Sequence, residues 1–298
     1  MHTRGILPLL IVGITSVWGA GAAQAYMCSQ ASDNADAPSL SWFTRTIPYA
    51  LSRAGTTHIS GDTEREVLRA SFEVWEELTA TSGSCDPSNY ATDIHFREGP
   101  LSDTAAAGYD PLHPEENENL LIFLEDHWTD DPNTIALTTT TFSSTTGQII
   151  DADIELNAYL FNFSTDETAS GDHDLMNTAV HEIGHLLGLD HTAVRNATMF
   201  LTAEAGEISK RTLHCDDVQA IAFKYPVGQP NGYCDLDGPC PTKCVAPPER
   251  IADVSIAVTD IDNGLSSGCA CRDNDGGSHI WATLALILWL LRRRLAPV

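Results

Sequence analysis

The sequence has few basic residues and no long apolar run, and each shortage excludes a class of protein. Lysine and arginine number 16 against 41 acidic residues, which gives a formal net charge of −25. So negative a chain repels nucleic acid and anionic lipid, and we expect neither as a partner. A permanent membrane span needs about 20 apolar residues, and the apolar stretches here are shorter. No EF-hand pattern is present, although the acidic loops leave calcium open as a second ion.

The first 25 residues have the order of a signal peptide. His2 and Arg4 precede an apolar run from Ile6 to Val17, and Ala23-Gln24-Ala25 follows as a small-x-small cleavage site. The alternative is a membrane anchor, but the run is short and ends in a processing site. We therefore expect residues 1–25 to be removed and the protein to be exported.

Residues 269–298 have the order of a second processing segment. Cys269-Ala270-Cys271 precedes twelve apolar positions from Ile280 to Leu291, and Arg292 to Arg294 follow them. The arginines would hold this end on the cytoplasmic side of the membrane. The order resembles the C-terminal sorting tail of myxobacterial surface proteins (MYXO-CTERM). That resemblance implies a bacterial protein whose tail enters the membrane transiently and is recognised by a sorting peptidase. The protein itself would be delivered to the cell surface or outer envelope. The alternative is a plain C-terminal anchor.

Six of the eight cysteines lie between these two end segments. An even set in an exported protein predicts disulfides, but six cysteines allow fifteen pairings and the sequence chooses none of them. Three of the six crowd into residues 228–268, which also contain glycine and proline, and we expect a linker or disulfide-rich stalk there. Residues 26–39 are polar, and we expect them to be flexible. The six cysteines are Cys28, Cys85, Cys215, Cys234, Cys240 and Cys244.

The strongest chemical signal is the stretch HEIGHLLGLDH, which runs from His181 to His191. On a helix, His181 and His185 lie one turn apart on the same face, so both imidazoles can bind one metal ion. Glu182 points in a neighbouring direction, from which it can act on a water molecule. Gly188 can take a positive φ and turn the chain, which brings His191 back as a third nitrogen ligand. Three protein ligands and one open position describe a catalytic zinc ion.

These residues match the HExxHxxGxxH signature and resemble the zinc site of the metzincin metallopeptidases. Met199 lies eight residues after His191, at the place of that family's Met-turn. Thr192 is similar to the matrixin branch, whereas Leu201 stands where astacins carry a tyrosine. The resemblance implies a zinc-dependent endopeptidase that cleaves extended protein or peptide substrates with a zinc-activated water and Glu182 as general base. It also implies a hydrophobic side chain just after the cut.

A second hypothesis comes from another class of protein: a surface binding or adhesion protein that keeps the fold without turnover. The residues that the chemistry needs are all present, which favours the enzyme. Two features of matrixins are missing from the sequence, namely a PRCG-type cysteine switch and the histidine-rich loop that holds a second zinc ion. The sequence therefore leaves open whether a propeptide keeps the protein latent. We expect the protein to act as a monomer.

The apolar pattern between residues 40 and 227 predicts one α+β domain, the catalytic domain. The order of elements is that of metzincins, which implies a mixed, mostly parallel twisted sheet with an antiparallel edge strand. A backing helix, an active-site helix and a small C-terminal subdomain complete the expected fold. The predicted elements are strands at Thr46–Leu51, Asp93–Arg97, Leu120–Leu124, Ile135–Phe142 and Gln148–Asn157, and helices at Ser60–Thr79, from Asp174, and from Asp216 to about Tyr225.

Four local expectations complete the reading of the sequence. Thr63 and Glu66 have the spacing of a capping box at the start of the first helix. Gln148–Asn157 alternates apolar and acidic residues and reads as a half-buried strand. Ile135–Phe142 is expected to be the edge strand whose free backbone groups pair with substrate, or else an ordinary solvated edge. The pair Asp216-Asp217 looks like the aspartates that brace the Met-turn and the mature N-terminus in matrixins, or else forms plain helix N-terminal acids.

Overall fold

A computed structural model describes residues 26–231, except 33, 35, 36, 79, 84, 167, 169 and 170, together with the separate strand 255–259. The expected signal peptide and the expected sorting tail lie outside the described residues. Most of the 228–268 stalk, with Cys234, Cys240 and Cys244, also lies outside them. Among the helices in the described residues, none has the length and apolar character to cross a membrane.

Short helices and strands alternate along the described chain. Three single turns of 3-10 helix lie at Pro87–Asn89, Pro114–Glu116 and Ser209–Arg211. The longer elements are β1 (Met27–Cys28), β2 (Thr46–Leu51), α1 (Thr63–Glu77), β3 (Ala80–Ser82), β4 (His95–Glu98), β5 (Leu120–Leu124), β6 (Ala136–Phe142), β7 (Ile149–Asn157), β8 (Phe163–Ser164), β9 (His173–Asp174), α2 (Leu175–Leu186), β10 (Leu189–Asp190), β11 (Leu213–His214), α3 (Cys215–Lys224) and β12 (Ser255–Thr259).

The central mixed sheet has five strands in the order β4-β2-β5-β7-β6, and β12 adds a sixth at the outer side of β6. The first four strands run parallel, and β6 runs antiparallel to β7 because a tight turn joins them. All five residues of β5 are buried, as expected of an internal parallel strand that is covered on both faces. Five mostly parallel strands and three α-helices agree with the expected fold class.

Sequence patterns located the main elements to within a few residues. Strands β2 and β5 begin and end where predicted, and β4, β6 and β7 begin one or two residues later than predicted. The expected capping box is wrong. The first helix begins at Thr63 itself, its N-cap is Asp62, and no side-chain hydrogen bond caps it. The helix ends because Leu78 takes a left-handed conformation with φ of 48°.

Helices α1 and α2 pack against each other, and two indole nitrogens bind the backbone of α2. Trp75 Nε1 on α1 donates to the Val180 carbonyl of α2 at 2.8 Å, and Trp42 Nε1 donates to the Leu186 carbonyl at 2.8 Å. Trp75 is fully buried. A buried indole that finds a carbonyl partner combines a large apolar contact with a fixed orientation. The active-site helix is therefore held along its length.

A disulfide joins Cys85 to Cys215 across 130 residues of sequence. It ties the loop after β3 to the first residue of α3. In the chain-entropy account, closing a loop of this length stabilises the folded state by about 4 to 5 kcal/mol. The sequence predicted disulfides without choosing a pairing, and this pair is one of those left open.

The expectation that residues 26–39 are flexible is wrong for the parts that the structure describes. Met27 pairs with Asp190 and Cys28 pairs with Leu189 in an antiparallel two-stranded sheet of β1 and β10. Cys28 is only 1% exposed. The polar composition hid this role because two residues of pairing are too few to leave a periodic pattern. The N-terminal segment thus supports the loop that follows the active-site helix.

The expectation that β6 is a free edge strand is also wrong. Its outer side pairs antiparallel with β12 through five residue pairs, from Ser255 opposite Phe142 to Thr259 opposite Thr138. An open strand edge presents unpaired N–H and C=O groups that readily accept another strand. Here a later segment of the same chain takes that place.

Strand β7 departs from the expected half-buried pattern because both of its faces are covered. Asp151 and Asp153 are 3% and 2% exposed. The Asp153 carboxylate accepts hydrogen bonds from the Gly108 N–H at 2.6 Å and the Leu120 N–H at 2.8 Å. Burial, together with the charge of Asp153, raises the pKa of Asp151 to about 8, and burial also raises the pKa of Asp153. The acidic loop before β5 therefore covers the face of β7 that the alternating sequence of this strand predicted to be exposed to solvent.

Candidate metal centre

Three imidazoles converge at the C-terminal half of α2. His181 and His185 lie one helical turn apart, and His191 returns after a turn. The three Nε2 atoms are 3.2, 3.2 and 3.1 Å apart. Zn–N bonds of about 2.0–2.1 Å in a tetrahedral site place two nitrogens about 3.3 Å apart. The spacing of the three nitrogens therefore fits a single zinc ion.

The other ring nitrogen fixes the tautomer of two of these histidines. His181 Nδ1 lies 2.6 Å from the Thr198 carbonyl, and His185 Nδ1 lies 2.9 Å from the Leu189 carbonyl. Because a carbonyl only accepts, each Nδ1 carries the proton and each Nε2 presents a lone pair. Lone pairs that face one another at this distance repel unless a cation lies between them. Among the described residues, these three histidines form the single cluster of potential ligands that can share one ion.

Burial favours the neutral form of His181 and His191. It lowers the pKa of His181 well below its usual value, and the nearby Lys210 ammonium and the other two histidines lower it further. Burial is also the main cause of the lowered pKa of His191, followed by His185 and Lys210. A histidine must be deprotonated at the binding nitrogen to hold a metal ion. The site is therefore prepared for a metal at neutral pH.

The turn that returns His191 depends on Gly188. This residue has φ of +80°, and a Cβ added there would lie 2.4 Å from the Leu40 carbonyl oxygen. No other residue type meets both conditions without strain. Its N–H donates to the His185 carbonyl at 2.7 Å, and its carbonyl accepts from Ser29 at 3.0 Å. The conformation and the close approach explain why glycine stands at this position.

Glu182 lies beside the histidines with one carboxylate oxygen held and the other free of protein partners. Thr138 Oγ1 on β6 donates to Glu182 Oε2 at 2.6 Å. Glu182 Oε1 is buried, and no hydrogen-bond partner for it exists among the described protein atoms. Burial raises the pKa of this carboxyl, although His185, Thr138 and Lys210 oppose the rise. A buried carboxylate oxygen without a partner is suited to accept a proton from a small molecule in the site.

Met199 packs beneath the histidines. A Cβ added to Gly184 of α2 would lie 2.2 Å from Met199 Sδ and 3.0 Å from Trp75 Cζ2. The sulfur is therefore in contact with the helix backbone, and the side chain is 2% exposed. The Met199 carbonyl accepts from the Thr192 N–H at 2.9 Å, which closes the loop around the third ligand. Met199 therefore packs against α2 next to His185 and holds the start of the loop after His191.

Asp217 contacts the Met-turn. Its carboxylate accepts from the N–H groups of Thr198 at 2.8 Å and Met199 at 3.1 Å. It also accepts from the His214 N–H at 2.9 Å, which forms a capping box at the start of α3. Because the Thr198 carbonyl in turn receives the His181 Nδ1 proton, one carboxylate of α3 orients a ligand through the turn. Asp216 is buried next to it.

The structure brings the predicted ligands, Glu182 and Met199 into one place, and it adds residues that the sequence motif does not name. Thr138 comes from β6, far away in sequence, and Thr198 acts through its backbone. Lys210 is a buried lysine near the histidines and Glu182. An unusual buried charge is visible only after folding, so no sequence pattern could have indicated it.

Part of the chain is similar to known proteins. Residues 112–226 match the matrixin family profile (Peptidase_M10). Metalloendoproteinase 2-MMP of Arabidopsis thaliana is 35% identical over 118 residues, which make up 40% of this chain and 28% of that protein. Metalloendoproteinases 5-MMP and 4-MMP of the same plant are 49% and 42% identical over 59 and 60 residues. The chain spans only 16% to 28% of the length of these relatives. The matches support a matrix metalloproteinase-type domain in this part of the chain.

Proposed function

We propose that the protein is a zinc-dependent endopeptidase. The observation that carries the proposal is the convergence of three imidazole nitrogens beside a buried carboxylate, one oxygen of which has no hydrogen-bond partner among the described residues. His181, His185 and His191 would hold the metal ion. When bound, zinc supplies an acidic water, with a pKa of about 7, and polarises the scissile carbonyl.

Glu182 acts as the general base in this proposal. Thr138 fixes one oxygen of its carboxylate, so the other oxygen is directed toward the reacting molecules. That oxygen accepts a proton from the attacking water and later returns it to the leaving amine nitrogen. Because burial raises the pKa of the carboxyl, its affinity for the proton is greater than that of an exposed glutamate. No nucleophilic side chain is required.

Strand β6 provides the surface for an extended substrate. Thr138 connects this strand to Glu182, so a peptide that pairs with β6 passes beside the general base. Pairing through backbone groups gives affinity for many sequences. The pairing of β12 with β6 supports this use, because it demonstrates that the outer side of β6 accepts an antiparallel strand. A protein substrate would have to take the place of β12.

The location of the protein follows from its two end segments. A signal peptide at 1–25 and a sorting tail at 269–298 would place the domain outside the cytoplasm, at the bacterial cell surface or in the medium. The disulfide between Cys85 and Cys215 supports an oxidising location. The strong negative charge keeps such a surface soluble.

The decisive experiment combines proteolysis with metal analysis. Purified protein should cleave casein, and 1,10-phenanthroline should abolish cleavage. Glu182→Ala should retain zinc but lose turnover by about 10²- to 10⁴-fold, because a general base contributes on that scale. Glu115→Ala is a matched control, since this exposed carboxylate lies in the 3-10 turn Pro114–Glu116 and does not line the space beside the histidines. Full turnover in the Glu182 variant, or no cleavage by the zinc-loaded parent, would overturn the proposal.

A further inference from the structure

A cavity of about 420 Å³ opens directly beside the histidines and Glu182. His181 and Glu182 form one wall, so the side chain of a peptide residue next to the scissile bond can enter it. Polar and apolar atoms contribute about equally to its lining. The other lining residues are Asn133, Ile135, Asn177, Thr178, Leu201, Thr202, Ala203, Glu204 and Lys210.

Lys210 is the unusual member of this lining, because its side chain is charged and almost wholly buried. The residue is 3% exposed. Its backbone N–H donates to Asn177 Oδ1 at 2.8 Å, which fixes the residue against α2. The ammonium has three donors, and the described residues offer them one acceptor, the carbonyl of Phe200. Two donors therefore remain for water or for a ligand in the cavity.

The charges near Lys210 do not replace a direct partner. Glu207, Glu182 and Asp217 favour its charged form, yet burial dominates and lowers its pKa to about 8. The group therefore still carries its positive charge at pH 7. A buried ammonium without a close anion is costly, and a carboxylate brought by a ligand would remove that cost. Glu204 opposes such a ligand, but it is exposed, so water and salt screen its charge.

We propose that Lys210 makes this cavity a subsite for an acidic side chain, glutamate or aspartate, next to the scissile bond. The inference rests on the proposed endopeptidase function and adds a substrate class to it. The apolar residues Ile135, Leu201 and Ala203 would contact the methylene groups of a glutamate, and Lys210 would pair with its carboxylate. The subsite thus differs from the hydrophobic preference that the family resemblance implies.

The test uses one peptide sequence with Glu, Gln or Leu at each of the two positions that flank the cut. A buried charge-assisted pair corresponds to about tenfold or more in kcat/KM. The parent protein should therefore favour Glu over both Gln and Leu at one of the two positions. Lys210→Met should reverse that ratio, and Lys210→Arg should restore it in large part. Arg195→Met removes an exposed cation from the same loop and should leave the ratio unchanged.

A binding measurement separates failure of the subsite from failure of the proposed function. Fluorescence anisotropy with the labelled Glu and Leu peptides, on Glu182→Gln and on Glu182→Gln/Lys210→Met, needs no turnover. The first variant should bind the Glu peptide more tightly, and the second should not. If the peptides are cut but Leu is favoured, or if Lys210→Met leaves the ratio unchanged, the subsite is refuted. If no peptide is cut, the proposed function fails, and the anisotropy ratio alone decides on the subsite.

Discussion

Two clusters of ionisable side chains lie buried in this domain, and they differ in how their charges are balanced. The histidine centre holds three imidazoles with Nε2 atoms 3.1 to 3.2 Å apart. The acidic pair of β7 holds Asp151 and Asp153, whose pKa values are both raised by burial. His181, His185 and both aspartates are buried, and His191 is only slightly more exposed. Burial alone therefore does not identify a functional site.

The difference lies in what each cluster still lacks. Backbone N–H groups of Gly108 and Leu120 donate to Asp153, and a proton on Asp151 removes the remaining repulsion. In the histidine centre, Nδ1 of His181 and of His185 donates its proton to a carbonyl, so Nε2 of these two residues has no proton to share. Protonation relieves the first cluster, whereas only a cation relieves the second. This contrast is the physical reason to assign chemistry to the histidines.

The largest expected effect comes from removing one ligand. His191→Ala leaves two imidazoles, so zinc affinity should fall by a hundredfold or more and casein cleavage should be lost. Zinc content after dialysis and turnover on the same sample provide the measurement. His173→Ala, which changes a histidine outside the centre, serves as the control and should keep both properties. If the His191 variant still held one zinc ion per chain, His191 would not be a required ligand. The contrast between the histidine centre and the acidic pair would then be contradicted.

A smaller effect is expected at the acidic pair. Because the pKa of Asp151 is raised from 3.8 to about 8, its contribution to stability is present at low pH and is lost as pH rises toward 8. Asp151→Asn keeps the neutral form at all pH values. It should raise the free energy of unfolding by about 1 to 3 kcal/mol at pH 9 and change it little at pH 4. Urea unfolding at the two pH values measures this difference, and an equal effect at both would contradict the assignment.

Much of this fold was predictable because its signals are local. The strands β2 and β5 and the start of α2 at Asp174 follow from short apolar runs and a capping residue, and the structure confirms them. The histidine spacing is equally local, since one helical turn and one glycine produce it. Expectations failed where partners come from distant sequence. The covered face of β7 and the paired N-terminal segment depend on loops whose path no periodic pattern records.

The same reasoning explains what the site adds to its motif. Thr138 binds Glu182 from β6, which precedes the histidine motif by dozens of residues. Asp217 binds the Met-turn from α3, which follows the motif. The edge of β6 was predicted as open because nothing in its own sequence indicates β12 as its neighbour. Long-range pairing is a property of the folded chain, and a single sequence carries little trace of it.

The smallest predicted effect concerns the access of a peptide to the histidine centre. The acidic pair should not respond to the same change. Ala257→Pro/Val258→Pro places two prolines in β12, which removes N–H donors from its ladder with β6. Peptide turnover should rise by about two- to tenfold as the outer side of β6 is freed. The pH dependence of unfolding, which reports on Asp151, should not change. Unaltered or lower turnover would contradict the idea that β12 and substrate share this surface.

The most direct test of the metal assignment is X-ray absorption at the zinc edge of the purified, full-length protein. The account predicts one zinc ion per chain, with three imidazole nitrogens at about 2.0 to 2.1 Å and one oxygen from solvent. His181, His185 and His191 would supply the nitrogens. A spectrum with sulfur ligands, or with four protein ligands and no solvent oxygen, would contradict the account.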